Sequence, residues 1–192
     1  MKKIFPVILL AFIIAVIVFI EIDKQDTSII LKTGETITTG LVVTEEVTGN
    51  SVGDIAPNWR LQSFSGEIIE LAELRGNPVM IDYFADWCPF CHKEFPFIEA
   101  AHQSYGDDVV FIGIHRTNTE SEERGAFFAT GEIGATFPLV KDTSGKVYGA
   151  YAIGLAMPIS FFIDSNGVIR DKVIGPKTPE RLDEAIQTIL EH

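Results

Sequence analysis

Both cysteines of this 192-residue chain lie in one stretch, ADWCPFCHKEFP, at positions 88 and 91. The stretch follows Pro78–Ala85, a largely apolar and β-prone run that suits a buried strand. Beyond it, apolar side chains at positions 95, 98, 101 and 105 have helical spacing, and Gly106 ends the pattern. The sequence therefore places the cysteine pair where a buried strand turns into a helix.

The position of the cysteines predicts disulfide chemistry. Cys88 caps the helix and Cys91 lies about one turn inside it, so the two sulfur atoms can meet. The partial positive charge at a helix N-terminus stabilises a thiolate at Cys88, and Pro89 suits the first helical position. We predict that Cys88 attacks a disulfide of a partner protein and forms a mixed disulfide. Cys91 then attacks the sulfur of Cys88 and releases the partner.

Two other uses of the cysteines are open from the residues alone. A purely structural disulfide closes such a short loop that it stabilises a domain only modestly. A metal site needs more ligands than two thiolates, and only His92 and His115 are near enough in sequence to join them. We therefore expect no bound metal, and we interpret His115 as a structural residue at the end of a strand.

The chain from residue 53 onward predicts an α/β domain. Ser65 and Gly66 separate the first two predicted strands, and Asn166 and Gly167 favour a tight turn between the last two. Besides the strand before the cysteines, the predicted strands are Asn58–Phe64, Glu67–Glu70, Val109–Ile114, Phe137–Val140, Ile159–Ile163 and Val168–Ile174. Further helices are expected over Ser121–Thr130 and from Thr178 and Pro179 onward. The last helix places these apolar residues on one face: Leu182, Ala185, Ile186, Ile189 and Leu190.

The N-terminus carries an apolar run, Ile4–Ile20, with two lysines before it and Glu21 after it. A run of this length just suffices to cross a bilayer as a helix. Because the lysines precede the run, we expect the N-terminus in the cytoplasm and the rest of the chain outside the cell membrane. A cleaved signal peptide is the alternative, although the run ends without the small residues of a cleavage site.

Composition and the run together divide the chain into three parts. We predict a transmembrane anchor at 1–22, a threonine-rich linker at 23–52 and one folded domain at 53–192. A small hairpin between residues 29–31 and 41–43 is the alternative to a flexible linker. The formal net charge of −12 provides no basic stripe for phosphates, so we expect no binding to nucleic acid.

The strand and loop around the cysteines resemble a known family. Val79–Cys91, which reads VMIDYFADWCPFC, is similar to the active-site strand and loop of thioredoxins. Val52–Trp59, Leu71–Gly76 and Cys91–Pro96 extend the likeness to membrane-anchored, extracytoplasmic thioredoxin-like proteins of the TlpA/ResA type. This resemblance implies an α/β thioredoxin fold, with a central mixed β-sheet flanked by helices. It also implies an N-terminal β-hairpin extension and an N-terminal transmembrane helix.

The resemblance also implies an activity. The chain is expected to be a thiol-disulfide oxidoreductase that acts on exported proteins, such as apocytochromes c, and takes electrons from a membrane thiol donor. It would need no cofactor beyond the redox-active disulfide Cys88–Cys91. The Pro-Phe pair between the cysteines departs from the commoner pairs of the family, and Phe90 adds no charge that would stabilise a thiolate. The pair leaves the redox direction open, although it does not suggest a strongly oxidising site, and Asp82 favours a thioredoxin-like reductant.

Further residues take roles by resemblance. Met157 and Pro158 are expected to form a cis-proline loop that faces the disulfide and binds the substrate backbone. Trp87, Pro89 and Phe90, which surround the first cysteine, are expected to contact the substrate as well.

Two carboxylates take roles by resemblance and position. Asp82 resembles the buried acid of thioredoxins that shuttles the proton of Cys91, although TlpA/ResA proteins often carry Asn there. Burial would raise the pKa of such an acid, as a general base at neutral pH requires; a solvated Asp82 is the alternative. Glu94 resembles the acid that follows the cysteine motif in the ResA group. Its alternative is a first-turn residue that only complements the helix dipole.

Two other functions stay open. A peroxiredoxin-like peroxidase begins with a similar fold, but its reactive cysteine has a threonine three residues before it, and this chain has Ala85 there. A copper-delivery module would use Cys88, Cys91 and a histidine, but relatives of that kind space their cysteines by three residues.

Overall fold

The computed structural model describes residues 48–130, 134–151, 154 and 156–192. The predicted anchor at 1–22 and the alternative hairpin in the linker lie outside these residues. Within them, no helix is both long enough and apolar enough to span a membrane.

Strands and helices alternate along the described residues as an α/β protein requires. The strands are β1 (Arg60–Ser63), β2 (Ile68–Glu70), β3 (Val79–Phe84), β4 (Val110–His115), β5 (Leu139–Lys141), β6 (Ile159–Ile163) and β7 (Ile169–Ile174). The α-helices are α1 (Pro89–Tyr105), α2 (Glu122–Thr130), α3 (Lys146–Tyr151) and α4 (Pro179–Leu190). Short 3-10 helices cover Leu71–Leu74 and Thr117–Thr119.

The described strands form one mixed sheet in the order β2-β1-β5-β4-β3-β6-β7. β3 is parallel to β4 and antiparallel to β6, with Tyr83 opposite Ile159 and Phe84 opposite His115. All six residues of β3 are buried, because neighbours cover both of its edges and both of its faces. The end of β3 and the start of β6 therefore meet at one edge of the sheet, which is where the cysteines lie.

Alternation along β3 divides the interior into two clusters. Met80 and Phe84 point to the cluster that holds both cysteines and the apolar faces of α1 and α4. Ile81 and Tyr83 point to the other face, where they pack with Tyr148 and Tyr151 of α3. Asp82 shares the face of Met80 and Phe84, so its carboxylate is directed to the side of the sheet that carries the cysteines.

The two predicted strand pairs are present. β1 pairs with β2 across Ser65 and Gly66, and β6 pairs with β7 across a turn in which Gly167 has a φ of 81°. The positive φ is the conformation that favours glycine at this position. Strand ends differ from the prediction by one to a few residues, because the apolar pattern does not mark where the hydrogen-bonded ladder stops.

The last helix begins as predicted, with the Thr178 hydroxyl accepting from the backbone N–H of Arg181 at 3.3 Å. Its buried residues are Leu182, Ala185, Ile186 and Ile189. The prediction was wrong for Leu190, which is 37% exposed because it lies at the end of the helix and beyond the core. α3 was not predicted, since six residues are too few to show a helical period.

Candidate active site

The cysteine pair lies between β3 and α1. Cys88 is the N-cap residue of α1, Pro89 is in the first turn, and the backbone N–H of Cys91 donates to Sγ of Cys88 at 3.2 Å. The two cysteines form a disulfide with their Cα atoms 5.3 Å apart. Cys88 is 2% exposed and Cys91 is fully buried. The helix terminus thus presents an amide donor to the sulfur that we predict to be the nucleophile.

The residues next to Cys88 are open to solvent. Trp87 is 46% exposed and Phe90 is 49% exposed. Pro89, which directly follows Cys88, is exposed as well. The indole Nε1 of Trp87 donates to Oγ1 of Thr119 at 3.0 Å, which fixes the ring on the 3-10 turn after β4. An apolar, accessible rim therefore borders the disulfide.

Met157 and Pro158 lie immediately before β6, at the same edge of the sheet as the cysteines. The peptide bond between them is cis, as the resemblance implied. Pro158 is buried and Met157 is half-buried. The Met157 sulfur accepts from Nη1 of Arg116 at 3.7 Å, and this guanidinium also stacks on the ring of Tyr148, 3.7 Å from its centroid.

Asp82 and Glu94 are brought together, on the side of the sheet that carries the cysteines, by a third residue, Lys177. Each of the three side chains is 1% exposed. The Lys177 ammonium donates to Oδ1 of Asp82 at 3.2 Å and to Oε1 of Glu94 at 3.0 Å. The backbone N–H of Lys177 donates to Oε2 of Glu94 at 3.0 Å, and Ser160 on β6 donates its hydroxyl to Oδ1 of Asp82.

Burial dominates the electrostatics of the two carboxyls. It raises the pKa of Asp82, although Lys177 and the Ser160 hydroxyl oppose the shift. It raises the pKa of Glu94 to about 8, with a further increase from the nearby charge of Asp82 and an opposing effect of Lys177. Both carboxyls therefore hold their protons to a higher pH than a solvated acid does.

The alternative interpretations of these carboxylates were wrong. Asp82 is not solvated, and Glu94 does not lie on the exposed side of the first turn. Glu94 faces inward because it is three residues after the buried Cys91, on the same side of α1. The sequence pattern did not indicate Lys177, because it follows a glycine and a proline after β7 and has the pattern of an exposed turn.

The strand-end histidine is structural, as predicted. His115 is fully buried; its Nε2 lies 2.6 Å from Oε1 of Glu120 and its Nδ1 lies 2.9 Å from Oγ1 of Thr117. Burial lowers the pKa of His115, although Glu120 opposes the shift. The same oxygen of Glu120 accepts from the backbone N–H of Asp86 at 2.6 Å, so this network supports the loop that leads to Trp87.

In the residues that the structure describes, no three His, Cys, Asp or Glu side chains are grouped so that they could hold a metal ion. His92, which the copper-delivery alternative would use, lies with Nε2 2.7 Å from the backbone oxygen of Asp86.

The sequence is similar to proteins of known families. A family model described as the AhpC/TSA family matches residues 52–172. Thiol-disulfide oxidoreductase ResA of a Bacillus cereus strain is 31% identical over 139 residues, which cover 72% of this chain and 78% of the relative. Thioredoxin-like protein YneN of Bacillus subtilis (strain 168) is 27% identical over 138 residues, 72% of this chain and 80% of the relative.

Solved structures of thioredoxin-like proteins have a similar fold. StoA from Bacillus subtilis superposes with a TM-score of 0.58 at 27% identity, over 69% of this chain and 98% of that one. A thiol:disulfide interchange protein from Chlorobium tepidum TLS superposes with a TM-score of 0.64 over 74% of this chain and 99% of that one, and at 22% identity this likeness shows the fold alone. With its cysteine pair at the start of α1, the chain belongs to the AhpC/TSA family and is a thioredoxin-like thiol-disulfide oxidoreductase of the ResA type.

Proposed function

We propose that this enzyme reduces disulfides of exported proteins, for example during cytochrome c maturation, while residues 1–22 tether it to the outer side of the cell membrane. The observation that carries the exchange chemistry is the arrangement of the two sulfurs. Cys88 caps α1 beside an accessible aromatic rim, whereas Cys91 is fully buried behind it. Both cysteines are buried in the disulfide form, but Cys88 is the one that borders the accessible rim, so it is the sulfur that a partner disulfide would meet first.

The proposed reaction moves two electrons from the enzyme to the partner. The Cys88 thiolate attacks one sulfur of the partner's disulfide, that bond breaks, and the other partner sulfur leaves as a thiolate. Cys91 gives its proton to the carboxylate of Asp82 and attacks Sγ of Cys88. The second partner sulfur leaves, the disulfide Cys88–Cys91 closes, and a thiol donor in the membrane later reduces it. Trp87, Pro89, Phe90, Met157 and Pro158 contact the partner during these steps.

Trapping tests the roles of the two sulfurs. Cys91→Ser is expected to accumulate a mixed disulfide with the natural partner, because the resolving thiol is missing, and Cys88→Ser is expected to form none. Non-reducing gels of whole cells, followed by mass spectrometry of the trapped species, make the measurement. Trapping on Cys91 in the Cys88→Ser variant would reverse the assignment.

The reduction potential tests the direction of the reaction. A reductant has a potential near that of thioredoxin, about −270 mV, whereas a strong oxidant lies near about −120 mV. Equilibration of the Cys88–Cys91 couple with glutathione or dithiothreitol buffers gives the value. A potential in the oxidising range would overturn the proposed direction and leave the exchange chemistry intact.

Cell fractionation tests the location. The mature protein is expected in the membrane fraction, with its C-terminus accessible to protease added from outside, because Lys2 and Lys3 precede the apolar run. A soluble protein that begins near residue 24 would instead identify the run as a cleaved signal peptide.

A further inference from the structure

Lys177 contacts both carboxyls on the cysteine side of the sheet and has no part in the reaction proposed for the cysteines. It lies in the loop between β7 and α4, and the residue as a whole, backbone included, is 3% exposed. Through its ammonium and its backbone N–H it makes one bond to Asp82 and two to Glu94, at 3.0 to 3.2 Å. A lysine is rarely buried without such partners, so its position depends on these two acids.

The charges of this cluster determine how many protons it holds. Two carboxylates and one ammonium together carry a net negative charge, and a buried net charge is costly. One proton on the carboxyl pair makes the cluster neutral. The pair is therefore expected to hold one proton and one negative charge near neutral pH, and without the ammonium it would be neutral only with two protons.

Hydrogen bonds and burial indicate which carboxyl keeps the charge. Oδ1 of Asp82 accepts from both Ser160 and Lys177, which favours the ionised form of Asp82. Burial raises the pKa of both carboxyls, but the charge of Asp82 raises that of Glu94 further, whereas a hydrogen bond from Glu94 lowers that of Asp82, so we assign the shared proton to Glu94. Oδ2 of Asp82 is buried and has no hydrogen-bond partner in the described structure. This oxygen is thus an open acceptor on the side of the sheet that carries the cysteines.

We propose that Lys177 is a positioning residue for disulfide exchange: its ammonium keeps Asp82 ionised, so that the unpaired oxygen of Asp82 can accept the proton of Cys91. The inference rests on the function proposed above. In the resolving step, the S–H bond of Cys91 breaks, its proton moves to Oδ2 of Asp82, and its sulfur displaces the partner from Cys88. Lys177 itself neither gains nor loses a proton.

Other polar and charged groups lie next to the cluster of Asp82, Glu94 and Lys177. From β6 the neighbour is the Ser160 hydroxyl, and α1 contributes Glu94 itself, three residues after Cys91. On α4, the charge of Arg181 is paired with Asp171 of β7. Asp82 and Glu94 respond electrostatically to Lys177 and to each other. A change at position 177 is therefore expected to act on the cysteines through the carboxyl pair.

Ellman's reagent separates the two steps of exchange in the full-length reduced enzyme. Attack by Cys88 releases one coloured thionitrobenzoate, and resolution by Cys91 releases the second, so stopped-flow absorbance shows two phases. For Lys177→Met, the second phase is expected to slow by about tenfold or more at pH 7, because each unit of added pKa leaves about a tenth of the carboxylate. Its pH midpoint moves to higher pH, while the first phase keeps the parent rate.

Two matched variants accompany this measurement. Glu94→Gln replaces the protonated acid by a neutral group of the same shape and keeps the ammonium, so the pH midpoint of the second phase is expected to stay close to that of the parent. Lys172→Met removes a lysine of β7 that donates to the backbone oxygen of Asn50 and lies outside the cluster. Both phases of this control are expected to match the parent.

The inference is overturned if Lys177→Met slows both phases alike, or slows the second phase without moving its pH midpoint, since either result indicates only a structural role. If Lys177→Met does not fold, Lys177→Gln decides, because it removes the charge and keeps a hydrogen-bond donor: an unchanged midpoint in this variant contradicts the inference. A failure of the proposed function looks different, because Cys91→Ser would then retain the second phase.

Discussion

Replacement of Glu94 by glutamine tests the electrostatics of the buried cluster through protein stability. In the folded protein, burial and the neighbouring charge of Asp82 raise the pKa of Glu94 from 4.5 to about 8. Between these two pH values the folded state binds more protons than the unfolded state. The protonated acid therefore contributes stability that is complete below pH 4.5 and is lost as the pH rises through about 8.

The size of the effect follows from the interval between the two pKa values. Each unit corresponds to about 1.4 kcal/mol, and integration from pH 5 to pH 8 gives a loss of about 3–4 kcal/mol for the parent. Glutamine cannot ionise, so the Glu94→Gln variant lacks this loss. Its amide also faces two N–H donors of Lys177 and leaves one without an acceptor, which costs about 1–3 kcal/mol at every pH. The variant is thus less stable than the parent at pH 5 and approaches or exceeds it at pH 8.

Urea melts of the oxidised protein at pH 5, 6, 7 and 8 measure this difference. Glu99→Gln is the matched control, because it makes the same change in the same helix. Burial tends to raise the pKa of Glu99, but hydrogen bonds from Thr136 and Gln103 outweigh this effect and lower it. The stability that ionised Glu99 contributes is present above its unfolded pKa and is lost only as the pH falls below that value. The stability difference between Glu99→Gln and the parent is therefore constant from pH 5 to 8. A constant offset for Glu94→Gln too would show that Glu94 is ionised throughout, and would refute the reasoning.

Further predictions concern packing and use thermal or urea denaturation. Leu182→Ala on the buried face of α4 is expected to lower the stability by about 2–5 kcal/mol. Leu190→Ala is expected to lower it by about 1 kcal/mol or less, because Leu190 is 37% exposed. Similar losses in the two variants would contradict the observed orientation of the helix. Gly125→Ala is expected to destabilise by about 1–3 kcal/mol, since its Cβ would lie 2.5 Å from the ring of His115. In α3, Gly149→Ala meets no atom within 4 Å and is expected to stabilise by about 0.5–1 kcal/mol, so a loss there would count against the described helix.

Local sequence determined the features that depend on neighbouring residues. The apolar run of β3, the helical spacing that follows it and the glycine after Tyr105 place Cys88 at a helix N-cap without reference to the rest of the chain. The same holds for the turn at Gly167 and the cap at Thr178, because each depends on the backbone preference of one or two residues. Such preferences act over a few residues and can be read directly from the sequence.

The tertiary structure decided which charged groups are buried and what they meet. Glu94 could have been a solvated residue of a helix start; only the packing of α1 on the sheet turns it inward. Lys177 is 95 residues from Asp82 and 83 from Glu94, and it reaches both only because β7 and α4 bring their connecting loop to the side of the sheet that carries the cysteines. A lysine after glycine and proline has the sequence pattern of an exposed turn. The burial of Lys177 depends on long-range contacts. The pKa of Glu94 and the unpaired oxygen of Asp82 depend on them as well, because every element that covers the site contributes to its desolvation.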